Sequence, residues 1–359
     1  MSISQNFKDI ILDSNFIKNN PEFYQNYPSL FSNAFSINED YLDFLDISGY
    51  LYYQSTIYTD SLIDEKDISK FLLITICQEE SIKILSKFYG LEDNFWKLWN
   101  QRRNEYFQAV YIEKELYKKE VVTIEEFEIL ADQKSAFGKV AIDCLYSLDK
   151  KSKNLYQKLL LSHKYFSVAF QLNDDIQDFK NDFQKGQFNW AIYLLKQENL
   201  ESQNPDVLQK YLYIRGVSKK IYMLAIDYCD KSLDVIKDID VPSWKKVIAD
   251  TKKALISSIL EIDNYIELLT SEIILSNKPL LQNNLDKSLS KAIEYIKTKQ
   301  QDNGSWREYV NQGGISNIWG TAFITSKLSE SQILKSSCKE EISKALSFLS
   351  LNTTKSLWG

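Results

Sequence analysis

Four aspartates crowd the segment Phe170-Gln171-Leu172-Asn173-Asp174-Asp175-Ile176-Gln177-Asp178-Phe179-Lys180-Asn181-Asp182. On an α-helix Asp174, Asp178 and Asp182 fall at i, i+4 and i+8 and share one face, which Asp175 joins through its i+3 relation to Asp178. Unneutralised like charges at that spacing repel. A solvated acidic face is the plainest alternative, but the preceding run YFSVAFQL is apolar and implies a buried helix. A buried row of carboxylates requires cations. Mg²⁺ suits such oxygens, because it keeps several waters and bridges one or two carboxylates to substrate phosphates. A second pair, Asp60 and Asp64 in Thr59-Asp60-Ser61-Leu62-Ile63-Asp64-Glu65, again stands at i and i+4. Alone it carries little weight. Two such motifs, each ending an apolar helix and about a hundred residues apart, can face one another across a bundle cavity.

The elements that must hold these motifs read as helices. Only 10 Gly and 5 Pro occur in 359 residues, and Leu, Ile, Lys, Glu and Tyr recur at helical spacing, which predicts an all-α fold. From Glu39 the stretch EDYLDFLDISGYLYYQSTIYT is apolar on more than one face and runs straight into Asp60. Further helices are expected at about 68–89, 93–119, 123–148, 151–182, 207–237 and 242–275. The polar segment SNKPLLQNN divides the chain into a helical domain, 1–275, a linker, 276–284, and a tail, 285–359, since the length exceeds what one core usually serves.

Other chemistries are disfavoured. A net charge of −6 with interspersed signs offers no basic face for nucleic acid. No stretch approaches the apolar length of a membrane span, and the start lacks the pattern of a leader, so a soluble cytoplasmic protein is expected. Cys77, Cys144, Cys229 and Cys338 are far apart and read as buried thiols, and the single His163 as a satisfied core or helix-surface residue. The chemistry falls to carboxylates, Lys, Arg, Tyr and metal ions.

The segment AFQLNDDIQDFKND resembles the second aspartate-rich motif of trans-polyprenyl diphosphate synthases. It is also similar to the squalene and phytoene synthase pattern, in which DxxxD precedes a Gly and an aromatic, as Asp178, Asp182, Gly186 and Phe188 do here. The first motif matches that superfamily at Asp60 and Asp64, with Ser61 for a second Asp, and FEILADQKSAFGKVA resembles the helix whose Lys contacts diphosphate, pointing to Lys134. The resemblance covers roughly residues 40–240. It implies a class I terpenoid synthase-type helical bundle acting on a prenyl diphosphate, with three Mg²⁺ ions, or Mn²⁺ in their place. Asp60, Asp64, Asp174, Asp175, Asp178 and Asp182 would be the metal ligands. Lys134 would be catalytic, holding diphosphate together with Arg102 and Arg103, while Tyr53, Phe137 and Phe170 would face the hydrocarbon and the cationic carbon. Core packing is the competing assignment for those rings, and surface charge for the arginines. A homodimer is compatible with the family.

The departures matter as much. Where elongating synthases carry paired arginines after the first motif, Glu65-Lys66-Asp67-Ile68 stands here, and their N-terminal Gly-Lys-Arg segment has no counterpart. A terpene synthase or cyclase acting on one prenyl diphosphate is therefore the leading expectation. The alternatives are a prenyltransferase joining two prenyl diphosphates and a catalytically idle partner subunit of a prenyl synthase. In the tail, Gln300-Gln301-Asp302-Asn303-Gly304-Ser305-Trp306 followed by Ile318-Trp319-Gly320-Thr321-Ala322 resembles the repeat of squalene–hopene cyclases and terpene synthase β domains, whose helices form an α/α barrel. Trp358-Gly359 would restart it, so a single, truncated repeat with a structural role is expected.

Overall fold

The computed structural model describes residues 21–64, 66–149, 152–200, 202–276, 282–307 and 317–352, with the backbone alone at 64, 272–276 and 282–286. Trp358-Gly359 and residues 277–281 of the expected linker lie outside the described residues. Two 3-10 segments, Glu22–Asn26 and Pro28–Ala34, lead into α1 (Glu39–Asp64), α2 (Lys70–Leu85), α3 (Phe95–Lys118), α4 (Ile124–Lys134), α5 (Ala136–Asp149) and α6 (Lys153–Gln177). There follow α7 (Phe179–Lys185), α8 (Trp190–Gln197), α9 (Pro205–Ile214), α10 (Val217–Val235), α11 (Pro242–Ser276), α12 (Gln282–Lys299), α13 (Asn317–Glu330), α14 (Gln332–Ser337) and α15 (Lys339–Asn352). Among the described residues the one β pairing is an isolated bridge between Gln300 and Trp306. The all-α expectation holds.

Three expected helices are broken, and local chemistry accounts for each break. Ser135 separates α4 from α5 with its N–H turned back onto Ala131, and α4 opens on a capping box in which Thr123 and Glu126 satisfy each other's backbone donors. Gly216, at φ 71°, separates α9 from α10. Asp178, at φ −88° and ψ 7°, divides α6 from α7, yet the N–H of Asp178 still reaches Asp174 and that of Asp182 reaches Asp178. The i, i+4 succession of aspartates therefore survives the break. The short α8 is an element that the periodicity did not suggest; its N-cap, Asn189, accepts from the N–H groups of Ala191 and Ile192.

The chain divides into two compact units, Pro21–Leu269 and a second from Thr270 onward, so the division falls inside α11, ahead of the expected 276–284 linker. In the first unit α6 is central: Leu159, Phe166, Val168, Ala169, Leu172 and Ile176 are buried on several faces. It packs on α10 and α4, and Ser162 meets Ser232 of α10 at 2.9 Å and receives the indole N–H of Trp244 at 3.0 Å. All four cysteines are free and buried, as expected.

The second unit has its own small core of Trp306, Leu328, Cys338, Ile342 and Ala345. Gly304 adopts φ 87°, and a Cβ there would lie 2.5 Å from the Lys344 carbonyl oxygen, so the turn needs glycine. Trp306 is buried, with its indole N–H on the Ile296 carbonyl. Trp319 and Phe323 stack on one another and are 62% and 50% exposed. Among the described residues these helices do not close an α/α barrel: α12 to α15 form one small cluster. No helix among the described residues is long and apolar enough to cross a membrane.

Candidate active site

The first aspartate motif and the first two acids of the second occupy the C-terminal end of a helix, while Asp178 caps the junction and Asp182 lies in the first turn of α7. Asp60 and Asp64 end α1, Asp174 and Asp175 end α6, and neither helix has a basic residue in its last turn. Carboxylates at the negative end of a helix dipole are unfavourable, and cations are favourable there. The two ends meet around a cavity of about 870 Å³ whose lining includes Asp60, Asp174, Asp178 and Asp182. Asp64 lies in the last turn of α1, and its side chain is outside the described residues.

Burial and crowding act directly on these acids. Burial raises Asp174 to about 7, with Asp178, Asp182 and Asp60 adding and Lys134 opposing. Asp182 rises to about 6 for the same first reason, against the hydrogen bond that Asn189 Nδ2 donates to it at 2.8 Å. Asp178 is also raised by burial, with Lys185 and Lys134 opposing. The phenol of Tyr106 donates to Asp60 at 3.0 Å.

Asp175 turns away from the cavity. Its neighbour Asp174 faces the cavity, but Asp175 is 2% exposed and is absent from the lining, for its oxygens accept from Gln171 Nε2 at 2.7 Å and from the Trp190 N–H at 2.6 Å. Its carboxyl is raised to about 8 by burial, and it anchors the start of α8 rather than facing a ligand. Consecutive helical residues diverge by about 100°, so one row of acids serves two environments.

Arg102 also lies outside the cavity lining. Its guanidinium is buried and makes a two-bond pair with Asp143 at 2.8 and 3.1 Å, meets Glu105 at 2.9 Å and reaches the Tyr156 hydroxyl at 3.2 Å. Burial opposes its charge, yet Asp143 holds the guanidinium above its ordinary range, so no donor is left over for a diphosphate. Arg103 is exposed on α3 and does not line the cavity.

Lys134 does line it, half-buried, with its ammonium 2.8 Å from Glu113. Burial would lower its pKa, but Glu113, with Asp175 and Asp174 behind it, holds it above the usual lysine range. The structure adds Lys114, Lys118 and Lys185 to the same lining. The i, i+4 spacing of Lys114 and Lys118 at the end of α3 was the sequence signal for two of them.

Much of the remaining lining is aromatic, with Ile57, Ile63 and Val110 among the rings. Tyr53, Phe137 and Phe170 all line the cavity. Tyr24, which sequence reasoning missed, stacks on Tyr53 with ring centres 4.0 Å apart and 6° between planes, and meets Phe170 edge-on at 6.4 Å. Phe137 packs between Tyr52 at 4.5 Å and Tyr106 at 5.0 Å. His163 lines the cavity eleven residues before Asp174, about 16 Å along the same helix. It stacks on Trp244, and burial lowers it to about 3, so the ring is neutral; a Cβ on Gly138 would lie 2.4 Å from its Nε2.

Among the described residues no three His, Cys, Asp or Glu side chains converge closely enough to hold a metal ion as a preformed cage. A Mg²⁺ ion shared between one or two carboxylates, waters and substrate phosphates does not require one. The hard oxygen donors around the opening, on two helix ends without basic residues, fit that mode of binding.

No family model matches the sequence, and no curated protein matches it. Among solved structures, the polyprenyl synthase of Caulobacter crescentus complexed with calcium and isoprenyl diphosphate aligns at TM-score 0.60, 11% identity, over 72% of this chain and 90% of that one. The heptaprenyl diphosphate synthase of Staphylococcus aureus aligns at 0.59 and 13%, over 71% and 92%. The geranylgeranyl pyrophosphate synthetase of the archaeon Geoglobus acetivorans aligns at 0.58 and 15%, over 70% and 92%. This chain has the class I isoprenoid synthase fold. At these identities the likeness concerns the fold, and the reaction has to be argued from the site.

Proposed function

We propose that the chain binds a prenyl diphosphate with its hydrocarbon among the cavity rings and its diphosphate at the carboxylate end, and transfers the prenyl group to a second isoprenoid. One observation carries this reading: acids from two helix ends and four lysines line the same cavity as a group of aromatic rings. The fold's likeness to synthases that make prenyl diphosphates supports transfer over the one-substrate cyclisation expected from the sequence, and catalysis over an idle partner role.

Asp60, Asp174, Asp178 and Asp182 would hold Mg²⁺, with Asp64 placed by its position on α1 to join them. When bound, the ions supply Lewis-acid neutralisation of the departing diphosphate. Lys134, steadied by Glu113, and Lys114, Lys118 and Lys185 bind diphosphate oxygens. Tyr53, Phe137 and Phe170 exclude water and present π faces to cationic carbon. The balance is simple: the C–O electron pair leaves with diphosphate, the acceptor's double bond supplies the pair of the new C–C bond, and a proton lost beside the new cation passes to a diphosphate oxygen.

The test is Mg²⁺-dependent release of diphosphate from prenyl diphosphates of increasing length, with one and with two labelled substrates. Doubly labelled product is expected. A second reading, intramolecular synthesis from one substrate, is favoured by Glu65-Lys66-Asp67 standing where elongating synthases have arginines; singly labelled hydrocarbon would support it. Absence of any diphosphate release would leave the idle partner role. For the tail we propose a structural accessory, supported by the tight turn built around Gly304 and Trp306 and by the tail's own small core.

A further inference from the structure

Over three turns α6 presents a polar stripe to the cavity: Asp174, Gln171, Ser167 and His163 stand three or four residues apart and all line it. Most of that stripe is already engaged. Asp174 belongs to the carboxylate end, Gln171 donates to Asp175, and the Ser167 hydroxyl donates its one proton to the His163 carbonyl at 2.9 Å. Ser167 Oγ also lies 3.3 Å from His163 Nδ1, where, with that proton committed, it accepts. The imidazole proton therefore sits on Nδ1, and Nε2 carries a bare lone pair. His163 is 1% exposed, and no group among the described residues bonds Nε2. The nearby cations are committed elsewhere, Lys139 to Glu105 at 2.8 Å and Asp132 at 3.0 Å, and Arg102 to Asp143. Burial first, and then those two cations, keep the ring neutral. Gly138 makes room for the nitrogen, because a Cβ there would lie 2.4 Å from it. A buried acceptor without a donor is costly, and this one stands among the rings of Tyr27, Phe166 and Trp244 at the end of the cavity remote from the acids.

We propose that His163 Nε2 accepts a hydrogen bond from a hydroxyl at the far end of the substrate's hydrocarbon, so that the chain selects a prenyl diphosphate oxygenated on its terminal isoprene unit. The inference rests on the prenyl diphosphate reading above, and it names the substrate class more closely. The acids that receive the head group and the nitrogen about 16 Å back along α6 mark the two ends of one ligand. A plain hydrocarbon tail buries the lone pair unpaired, whereas a hydroxyl donates to it. A site built to bond a hydroxyl rejects the analogue that lacks it far more strongly than an apolar pocket rejects an added group. Other polar ends fit less well. A carboxylate has no proton to give, and an ammonium would be buried there without a counter-charge.

The experiment is equilibrium binding, to the full chain with Mg²⁺, of ten-, fifteen- and twenty-carbon prenyl thiolodiphosphates, which do not ionise, each plain and with a hydroxyl on its terminal carbon. At one chain length the hydroxylated form should bind the wild type about tenfold or more tighter than the plain form. His163→Leu should abolish that preference by weakening the hydroxylated form while the plain form binds no worse, and His163→Gln, which keeps a polar atom near the position of Nε2, should retain part of it. Thermal unfolding checks that each variant is folded, and the wild-type comparison decides the matter if neither is. Equal or weaker binding of the hydroxylated form at every length, or a preference that survives in folded His163→Leu, overturns the inference. Binding of none of the analogues defeats the proposed function itself, whereas tight binding of plain and hydroxylated forms alike defeats only this inference.

Discussion

At the scale of single residues, the aspartates work against folding until cations arrive. Replacing Asp178 by Ala removes a carboxylate at the rim of the cavity without opening a core cavity, so helicity by circular dichroism should be unchanged while diphosphate release falls by about 100-fold or more. Turnover within a few-fold of wild type would take Asp178 out of the metal site. The same acids make a pH prediction for the metal-free protein. Asp174, Asp182 and Asp175 sit at about 7, 6 and 8 against an ordinary 3.8, so between roughly pH 4 and 8 the native state holds protons that the unfolded chain has released. Stability is greatest below that window and declines as pH rises through it. Calorimetry should show Tm falling across the window, less so when Mg²⁺ and inorganic diphosphate are present. A Tm that climbs with pH in the metal-free protein would contradict the burial argument.

At the scale of elements, the junction of α6, α7 and α8 aims the acids. Asn189 caps α8 with its side-chain oxygen, while its amide nitrogen donates to the Asp175 carbonyl at 2.6 Å and to Asp182 at 2.8 Å. Asp175 holds the first N–H of the same helix. Serine caps a helix about as well as asparagine but lacks the amide that reaches Asp182. Asn189→Ser should therefore keep Tm within a few degrees while Mn²⁺ affinity, followed by electron paramagnetic resonance with diphosphate present, weakens by about 10-fold. Unchanged Mn²⁺ binding would mean that Asn189 serves only as a cap.

At the scale of the whole molecule, every residue named in the cavity and the larger core belong to Pro21–Leu269, and the second unit has a core of its own. A chain ending at residue 284 should thus retain most of its diphosphate release per folded molecule, with any loss appearing in solubility or Tm. The comparison is release normalised to the folded fraction from thermal unfolding. A stable truncated chain that releases no diphosphate would assign the tail a part in the reaction.

The sequence by itself determined what depends on local geometry. The i, i+4 aspartates, their place at the ends of apolar helices and the buried thiols follow from helical periodicity and composition, while Lys134 was pointed to by the family resemblance alone. Tertiary structure decided which neighbour on a helix meets the cavity and which distant groups converge. Asp174 and Asp175 are indistinguishable as sequence, and the packing of α8 against one of them separates their roles. Arg102 resembled a diphosphate ligand until Asp143, forty-one residues away, claimed its guanidinium. Tyr24 and Lys185 were invisible for the same reason: each gains its meaning from elements far apart in the chain, and helical spacing carries no information about which helices become neighbours.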